Sequence, residues 1–371
     1  MFLIGGGVNL AHAQQEMTKL AEKIDAPVIT TVMGRGAIST EHPLYIGNIG
    51  MHGSYAANKT ADECDLMFSI GCRFNDRVTG EIKKFAPNAK IVHIDIESAA
   101  ISRNVTVDIP IVADAKAAIL KILEHTEPME HKEWLDEIQG WEKEYPLQME
   151  VKDGVNPQRI IETLNEVYAD RDTVFTSDVG QHQMWASQYL KLDATHRLVQ
   201  SGGLGTMGFG LPSAVGAQIG CPEKSIVSIS GDGGFQMNMQ ELATAVCQEL
   251  PLVNIVFNNN RLGMVRQMQE LFFKKRYTIT CLRYHKSCKG KCGTPGWVCP
   301  EYVPDFVKMA EAYGTKGYFV TEDEQLRDTI LEARDYAEKN KKPVIVECMV
   351  APDELVMPMI KGGASFEDIM L

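Results

Sequence analysis

Residues 231–260 read GDGGFQMNMQELATAVCQELPLVNIVFNNN, a stretch in which strand and helix patterns alternate. Asp232 stands between two glycines directly after the β-rich run SIVSIS, and Asn258–Asn260 close a second β-rich run, PLVNIVF. The residues between the two runs have the amphipathic pattern of a helix. A strand, a helix and a second strand in this order predict a parallel βαβ unit.

The same alternation of strands and helices continues along most of the chain. It predicts an α/β fold of two doubly wound domains with mainly parallel sheets, at residues 1–125 and 151–371. In the first domain we expect one helix over about residues 11–23. Residues 126–150 are charged and contain no strand, but Trp134, Leu135, Ile138 and Trp141 share one helical face, which predicts a linker helix. Asn156 and Pro157 have the cap and first-turn chemistry of a helix start.

Composition limits the class of partner. The chain has 371 residues, of which 44% are hydrophobic and 23% charged, as in globular proteins. Its net charge of −12 disfavours nucleic acid or an anionic membrane as a partner. No apolar run is long enough for a membrane span, and the N-terminus does not have the pattern of a signal peptide. We therefore expect a cytoplasmic enzyme that acts on small molecules.

The polar residues after the two strands predict a metal site. Ligands in open parallel sheets bind beyond the carboxyl ends of the strands, where Asp232 and Asn259 both fall. One carboxylate and one amide suit Mg²⁺, which completes its coordination with phosphate and water. Gly231 and Gly233 allow the backbone to approach a ligand closely. The alternative is an ordinary pair of turns; the paired pattern favours a metal-bound diphosphate.

Several motifs together resemble those of the thiamine-diphosphate-dependent enzymes, and most closely the acetolactate synthase large-subunit family. They are SDVGQHQMWASQY (177–189), SGGLGTMGFGLPSAVGAQ (201–218), GDGGFQMNMQEL (231–242), NNNRLGMVRQMQ (258–269) and, in the first half, MHGSYAANKTADECDLMFSIGCRFNDRVTG (51–80). The resemblance covers nearly the whole chain except about residues 280–302.

The resemblance implies roles for residues of the second domain. The metal ligands would be Asp232, Asn259 and the backbone carbonyl of Arg261. Gln181 and Met207 would be catalytic, with Met207 as the apolar wedge under a bent thiamine diphosphate. The residues implied to bind this cofactor are Val179, Gly180, Gln181, His182, Gly205, Met207, Gly231, Asp232, Gly233, Gly234, Asn259 and Met264.

In the first domain the resemblance implies a structural FAD. The residues implied to bind it are Gly5, Gly7, Met51, His52, Gly53, Gly71, Arg73, Asn75, Arg77, Asp95 and Asp114. By its residues alone, GGGVNL (5–10) favours a tight turn over a dinucleotide fingerprint, because the third glycine of that fingerprint is missing. Asn75 departs from the aspartate that is usual in the family at this position.

Two features depart from the family. Cys281, Cys288, Cys292 and Cys299 lie within 19 residues and suggest a zinc site or an iron–sulfur cluster. The alternatives are a redox-labile loop and a solvated basic loop. The family also implies a further N-terminal domain, whose glutamate contacts the aminopyrimidine, and no candidate for it occurs here. We therefore expect a fragment or one half of a split enzyme.

The function implied is the condensation of two pyruvates to 2-acetolactate in branched-chain amino-acid biosynthesis, with 2-oxobutyrate as a second acceptor. The resemblance also implies a homodimer or a higher oligomer, and a small regulatory subunit. Two alternatives remain open: another thiamine-diphosphate-dependent decarboxylase, oxidase or carboligase, and a non-catalytic cofactor-binding fragment.

Overall fold

The computed structural model describes residues 1–151, 153–289 and 298–371. The chain divides into two compact units by its internal contacts. The first unit comprises residues 1–148, 191–197 and 356–371, and the second comprises residues 149–190 and 198–355. Each unit is built around one six-stranded sheet, which confirms the predicted α/β class.

The first sheet has the strand order β3-β2-β1-β4-β5-β6, and all its neighbouring strands are parallel. Its strands are β1 (Phe2–Ile4), β2 (Val28–Thr30), β3 (Tyr45–Asn48), β4 (Leu66–Ile70), β5 (Lys90–Asp95) and β6 (Ile109–Val112). Its helices are α1 (Gly6–Leu10), α2 (Gln14–Ile24), α3 (Tyr55–Glu63), α4 (Asp76–Thr79), α5 (Ala115–His125) and α6 (Lys132–Glu144). This order is that of a doubly wound dinucleotide-binding fold, with its switch point between β1 and β4.

The predicted linker helix is α6, and it belongs to the first unit. Ile138 is completely buried in the core on one face of the sheet, and Trp134 and Trp141 pack against the same core. The two indole rings meet edge to face at 5.5 Å. Three of the four residues of the predicted apolar face therefore anchor this helix to one core of the first unit, whereas Leu135 packs against the core on the other face of the sheet.

The predicted helix over residues 11–23 was wrong at its start. Two helices, α1 and α2, occupy this region, and they are separated at His12, whose φ is +50°. A left-handed residue ends the first helix, so the second must start anew. The short strands β3 and β6 were not predicted, since β3 contains Gly47 and β6 contains Pro110, and both residue types disfavour a strand.

The second sheet has the order β11-β12-β10-β9-β7-β8. Its strands are β7 (Thr173–Ser177), β8 (His196–Gln200), β9 (Ser225–Gly231), β10 (Leu252–Asn258), β11 (Lys316–Val320) and β12 (Val344–Met349). The pairs from β11 through β12, β10 and β9 to β7 are parallel. Strand β10 is buried at every residue, which explains why five of its seven residues are apolar.

Helices flank the second sheet. They are α7 (Pro157–Val167), α8 (Gln181–Tyr189), α9 (Gly210–Gly220), α10 (Asp232–Phe235), α11 (Glu241–Cys247), α12 (Gly263–Phe272), α13 (Phe306–Ala312) and α14 (Leu326–Asn340). The predicted cap of α7 is confirmed, because the Asn156 side chain accepts from the Gln158 N–H at 2.8 Å. Among the residues described, none of the helices has the length and apolar character needed to cross a membrane.

Candidate cofactor site

The predicted polar residues meet at one edge of the second sheet. Strands β9 and β10 are neighbours, with Gly231 paired to Phe257, so Asp232 after β9 and Asn259 after β10 follow adjacent strand ends. The turn after β7 lies beside β9, where the strand order changes direction. This point is the topological switch of the sheet, the usual place for a ligand in such folds.

Asp232 is a buried carboxylate at this edge, and only one of its two carboxylate oxygens has a hydrogen-bond partner among the described residues. It is 2% exposed, and its Oδ1 accepts from the Gly233 N–H at 2.8 Å. Its Oδ2 atom has no hydrogen-bond partner among the described residues. Burial raises the pKa of Asp232 to about 8 against the opposing effect of nearby backbone N–H groups. A buried carboxylate with one orphaned oxygen fits a bound cation that would satisfy it.

Asn259 connects the turn after β10 to helix α8. Its Oδ1 accepts from the Arg261 N–H at 3.0 Å, and its Nδ2 donates to Gln181 Oε1 at 3.2 Å. An amide oxygen keeps a second lone pair after one such bond, so Oδ1 can still reach a metal. Asp232, Asn259 and the Arg261 carbonyl would offer only oxygen donors, which is the kind of donor that Mg²⁺ takes, and their role as metal ligands stays a prediction.

Gln181 is held from three sides at the start of α8. Its Nε2 donates to Gln267 Oε1 at 2.9 Å and to the Glu354 carbonyl at 2.8 Å, while its Oε1 accepts from Asn259. A Cβ at Gly263 would overlap Gln181 Oε1, so this glycine makes room for the contact. The network fixes the start of α8, where the resemblance places the diphosphate.

Asp178 is a site residue that the sequence reasoning missed. It is fully buried, its Oδ1 lies 2.5 Å from His182 Nε2, and its Oδ2 accepts from the Gly208 N–H at 2.9 Å. A Cβ at Gly234 would overlap the same carboxylate. An aspartate directly after a buried strand and four residues before a histidine was the available signal.

His182 is 5% exposed, and its ring packs beside Gly180 and Gly231, where added Cβ atoms would lie 2.6 Å and 2.9 Å from ring atoms. The structure therefore gives His182 a partner in Asp178. Its implied contact with the diphosphate stays a prediction.

Met207 lies close to the glycine turn after β9. Its Cε is 3.6 Å from the position of a Cβ on Gly233. Val179 lies near Gly205, with Cγ2 at 3.6 Å from a Cβ built there, and Gly205 has φ +72°. The structure brings these residues to the same edge as Asp232. Met264, in the first turn of α12, is half-buried.

In the first unit, the glycines predicted for the flavin have a structural explanation. Gly5 and Gly7 follow β1, Gly71 follows β4, and a Cβ on Gly7 would lie 2.6 Å from the Gly71 Cα. Gly71 also has φ +62°, which favours glycine. The two backbones therefore touch at the switch point of this sheet, and only glycine permits that approach.

Two of the polar residues predicted for the flavin are helix caps. Asn75 Oδ1 accepts from the Val78 N–H at 3.2 Å, and Asp114 Oδ1 accepts from the Ala117 N–H at 3.0 Å. Asparagine and aspartate are equally good caps, so the departure at Asn75 has no structural cost. Asp95 Oδ1 accepts from the Glu97 N–H at 2.9 Å.

The remaining flavin candidates differ in exposure. Arg73 and Arg77 are exposed, and Met51 is half-buried in the same unit. Burial lowers the pKa of His52 to about 4, so this imidazole is neutral at pH 7. The Gly53 N–H donates to the Gly50 carbonyl at 2.9 Å, which makes residues 50–53 a turn.

The proposed cysteine site is not assembled by the residues that the structure describes. Cys281 is half-buried, Cys288 is buried and Cys299 is exposed, whereas Cys292 lies outside the described residues. Across residues 1–151, 153–289 and 298–371, no three His, Cys, Asp or Glu side chains form a group that could hold a metal. The prediction of zinc or an iron–sulfur cluster has no support in this part of the chain.

Comparison with known proteins shows the family to which the chain belongs. Residues 1–122 match the central domain of thiamine pyrophosphate enzymes, and residues 178–348 match their C-terminal TPP-binding domain. The chain therefore belongs to the thiamine pyrophosphate enzyme family. Asp178, Asp232 and Asn259 all lie within the TPP-binding match.

Within this family the similarity is to acetolactate synthase large subunits. The probable acetolactate synthase large subunit of Methanocaldococcus jannaschii is 40% identical over 379 residues, which cover 100% of this chain and 60% of the relative. The large subunit of Corynebacterium glutamicum is 40% identical, with 99% and 57% covered. Isozyme 3 of Escherichia coli is 38% identical, with 98% and 62% covered. The chain thus spans about three-fifths of the length of these relatives.

Proposed function

We propose that the second unit binds thiamine diphosphate through Mg²⁺ at the edge formed by the ends of β7, β9 and β10. The observation that carries this proposal is the orphaned Oδ2 of Asp232, a buried oxygen at the switch point of a TPP-binding domain. A divalent cation there would satisfy that oxygen and favour the ionised carboxylate. Asp232, Asn259 and the Arg261 carbonyl would hold the metal.

The surrounding residues would position the cofactor. The first N–H groups of α8 are available for the diphosphate, and helix N-termini favour such anions. Gln181 would keep this helix start at a fixed distance from the metal ligands through its bond to Asn259. Met207 would support the cofactor from the side of Gly233. When bound, thiamine diphosphate supplies the electron sink for decarboxylation of a 2-oxo acid.

We propose that the whole activity is that of an acetolactate synthase, which joins two pyruvates with loss of CO₂. The support is similarity along the full chain to proteins of that name in archaea and bacteria. A 2-oxobutyrate acceptor, an oligomeric state and a small partner subunit belong to the same proposal, since the relatives are named large subunits. A different thiamine-diphosphate-dependent carboligase or oxidase is the competing assignment.

For the first unit we propose a structural FAD at the carboxyl ends of β1, β4 and β5. The support is the doubly wound strand order, with its switch point at Gly5 and Gly71. Asp95 closes β5, and the side chain beside it, Ile96, is 72% exposed and apolar. A dinucleotide would cover this apolar surface while Asp95 met its ribose. Titration of FAD, followed by quenching of flavin fluorescence, tests this assignment separately.

The metal site is tested by calorimetry with thiamine diphosphate at several Mg²⁺ concentrations. We expect wild-type protein to bind only with the metal, and Asp232→Ala to lose this binding while its melting temperature stays near that of wild type. Asp328→Ala is the matched control, because that aspartate is exposed on helix α14 of the same unit. Equal affinity in Asp232→Ala and wild type would contradict the assignment.

Activity is tested by acetolactate formation from pyruvate. Because the chain spans about three-fifths of its relatives, we would assay it alone and with the unmatched part of the Methanocaldococcus relative added as a separate chain. Acetolactate formation in either assay supports the proposal. Formation of acetate or hydrogen peroxide instead, with the cofactor bound, would favour the competing oxidase assignment.

A further inference from the structure

The stretch of sequence that departs from the family begins with a segment attached to the candidate metal site. Residues 260–262 and 280–282 run antiparallel, with Arg261 opposite Cys281. The Leu262 N–H donates to the Thr280 carbonyl at 2.8 Å, and the Leu282 N–H donates to the Asn260 carbonyl at 2.9 Å. We call residues 280–282 the clasp.

This pairing pattern determines which way the backbone of Arg261 points. The bonds come from the residues on either side of Arg261, so its own N–H and carbonyl face away from the clasp. The Arg261 N–H accordingly reaches Asn259 Oδ1 at 3.0 Å and also lowers the pKa of Asp232. In an extended residue the carbonyl points to the same side as the N–H. The clasp therefore keeps the Arg261 carbonyl on the side of Asp232.

The clasp also covers the glycine turn after β9. Leu282 Cδ1 lies 3.3 Å from the position of a Cβ on Gly233, which Leu262 Cδ2 and Met207 Cε also approach, at 2.7 Å and 3.6 Å. Thr280 is 2% exposed, although the residue before it, Ile279, is 92% exposed. The chain thus turns inward at the clasp, and the side chain of Leu282 restricts the access of water to Gly233.

The other end of the divergent stretch is anchored to the same region. Arg283 Nε donates to the Pro300 carbonyl at 2.6 Å, and its Nη2 donates to the Cys299 carbonyl at 3.3 Å. Tyr302 accepts from Gln236 Nε2, and its ring lies 5.8 Å from that of Phe306. These contacts bring residues 283 and 300 together and fix both ends of the loop beside the turn that carries Asp232.

We propose that the clasp is a positioning segment for the metal site. It fixes the third oxygen donor, the Arg261 carbonyl, toward Asp232, and it shields the diphosphate side of Gly233 from water. The segment therefore contributes to Mg²⁺ affinity without contacting the metal. This inference rests on the proposed Mg²⁺–thiamine diphosphate site.

Two substitutions at one position separate the parts of the proposal. Leu282→Pro removes the N–H that bonds to Asn260, whereas Leu282→Ala keeps this bond and removes the covering side chain. Ile279→Ala is the matched control, an exposed apolar residue three positions earlier. For each protein, calorimetry gives the Mg²⁺ concentration that half-saturates thiamine diphosphate binding, and thermal melting without metal reports on folding.

We expect Leu282→Pro to need about tenfold more Mg²⁺ than wild type for half-saturation. A change of this size is expected when one backbone hydrogen bond at an ordered turn is lost. Leu282→Ala should need a few times more, and Ile279→Ala should match wild type. At saturating Mg²⁺ the affinity for thiamine diphosphate should recover in both Leu282 variants. A purely structural role would not give this recovery, because it would lower melting temperature and affinity together.

The inference is wrong if folded Leu282→Pro requires no more Mg²⁺ than wild type. If Leu282→Pro fails to fold, the test rests on Leu282→Ala. The inference is then overturned if Leu282→Ala needs no more Mg²⁺ for half-saturation than Ile279→Ala does. Failure of the proposed function looks different. In that case wild-type protein itself shows no Mg²⁺-dependent binding of thiamine diphosphate.

Discussion

The side chain of Asn258 donates to Glu347 Oε1 at 2.6 Å, which joins the last residue of β10 to the neighbouring strand β12. The Asn258 Oδ1 in turn accepts from the Asn260 N–H at 3.0 Å. Asn260 has φ +59°, a left-handed conformation that begins the turn into Arg261. A buried carboxylate on β12 thus supports the turn that carries two of the three proposed metal ligands.

The first prediction concerns Glu347. Glu347→Ala should weaken Mg²⁺-dependent cofactor binding and lower the free energy of unfolding by about 1–3 kcal/mol, because it leaves the buried Asn258 amide without its acceptor. Glu347→Gln keeps an acceptor and should retain binding. It also removes a negative charge that raises the pKa of Asp232. Chemical denaturation and calorimetry would measure both effects, and equal losses in the two variants would argue against the support role.

The second prediction is a pH dependence of the metal-free protein. Burial raises the pKa of Asp232 to about 8, whereas an unfolded aspartate ionises near pH 4. Between these values the folded state holds a proton that the unfolded chain has lost. The contribution of Asp232 to the free energy of unfolding should therefore fall as the pH rises from about 4 to about 8.

Mg²⁺ should reverse this trend, because it binds the ionised carboxylate, and its affinity should rise with pH up to about 8. Melting curves with and without Mg²⁺, compared with those of Asp232→Asn, would measure the effect. The variant should lack this pH-dependent contribution. Identical pH profiles for variant and wild type would show that Asp232 does not titrate in this range.

The third prediction compares two glycines. Gly234→Ala should destabilise the protein by about 1–3 kcal/mol and weaken cofactor binding, because its Cβ would overlap the buried Asp178 carboxylate. Gly216 lies exposed on α9 with nothing within 4 Å of an added Cβ. Gly216→Ala should therefore stabilise the protein by about 0.5–1 kcal/mol. Denaturant midpoints distinguish the two, and a neutral Gly234→Ala would mean that the carboxylate can move aside.

The fourth prediction concerns Asp178. Asp178→Ala should lower the free energy of unfolding by more than about 2 kcal/mol, because it leaves the Gly208 N–H without its buried acceptor and leaves His182 Nε2 only the backbone carbonyl of residue 178, at 3.1 Å. Asp178→Asn keeps an oxygen acceptor and should recover part of the loss. The NMR signals of the His182 ring should shift in both variants. Unchanged imidazole signals would contradict the contact between these two side chains.

Many features of the fold, and the position of Asp232 in the candidate site, can be predicted from the sequence alone, because they depend on residues that are close together in the chain. The alternation of strand and helix patterns predicted the two sheets, because each pattern is visible among residues that are close in sequence. Asn156 predicted the start of α7 for the same reason. The position of Asp232 directly after a buried strand placed it at the carboxyl edge without any knowledge of strand order. The apolar face of α6 was equally readable, since its residues repeat within four turns of one helix.

Only the tertiary structure decided what these residues touch. Asp178 with Gly234, Gln181 with Asn259, and Asn260 with Leu282 are pairs separated by 22 to 78 positions, and no periodic pattern connects them. Their contacts depend on strand order and on the course of loops, which arise from packing of the whole sheet. The sequence determined which groups could carry the chemistry, whereas the packing of distant segments determined how those groups are held, because burial and hydrogen bonding are properties of neighbours in space.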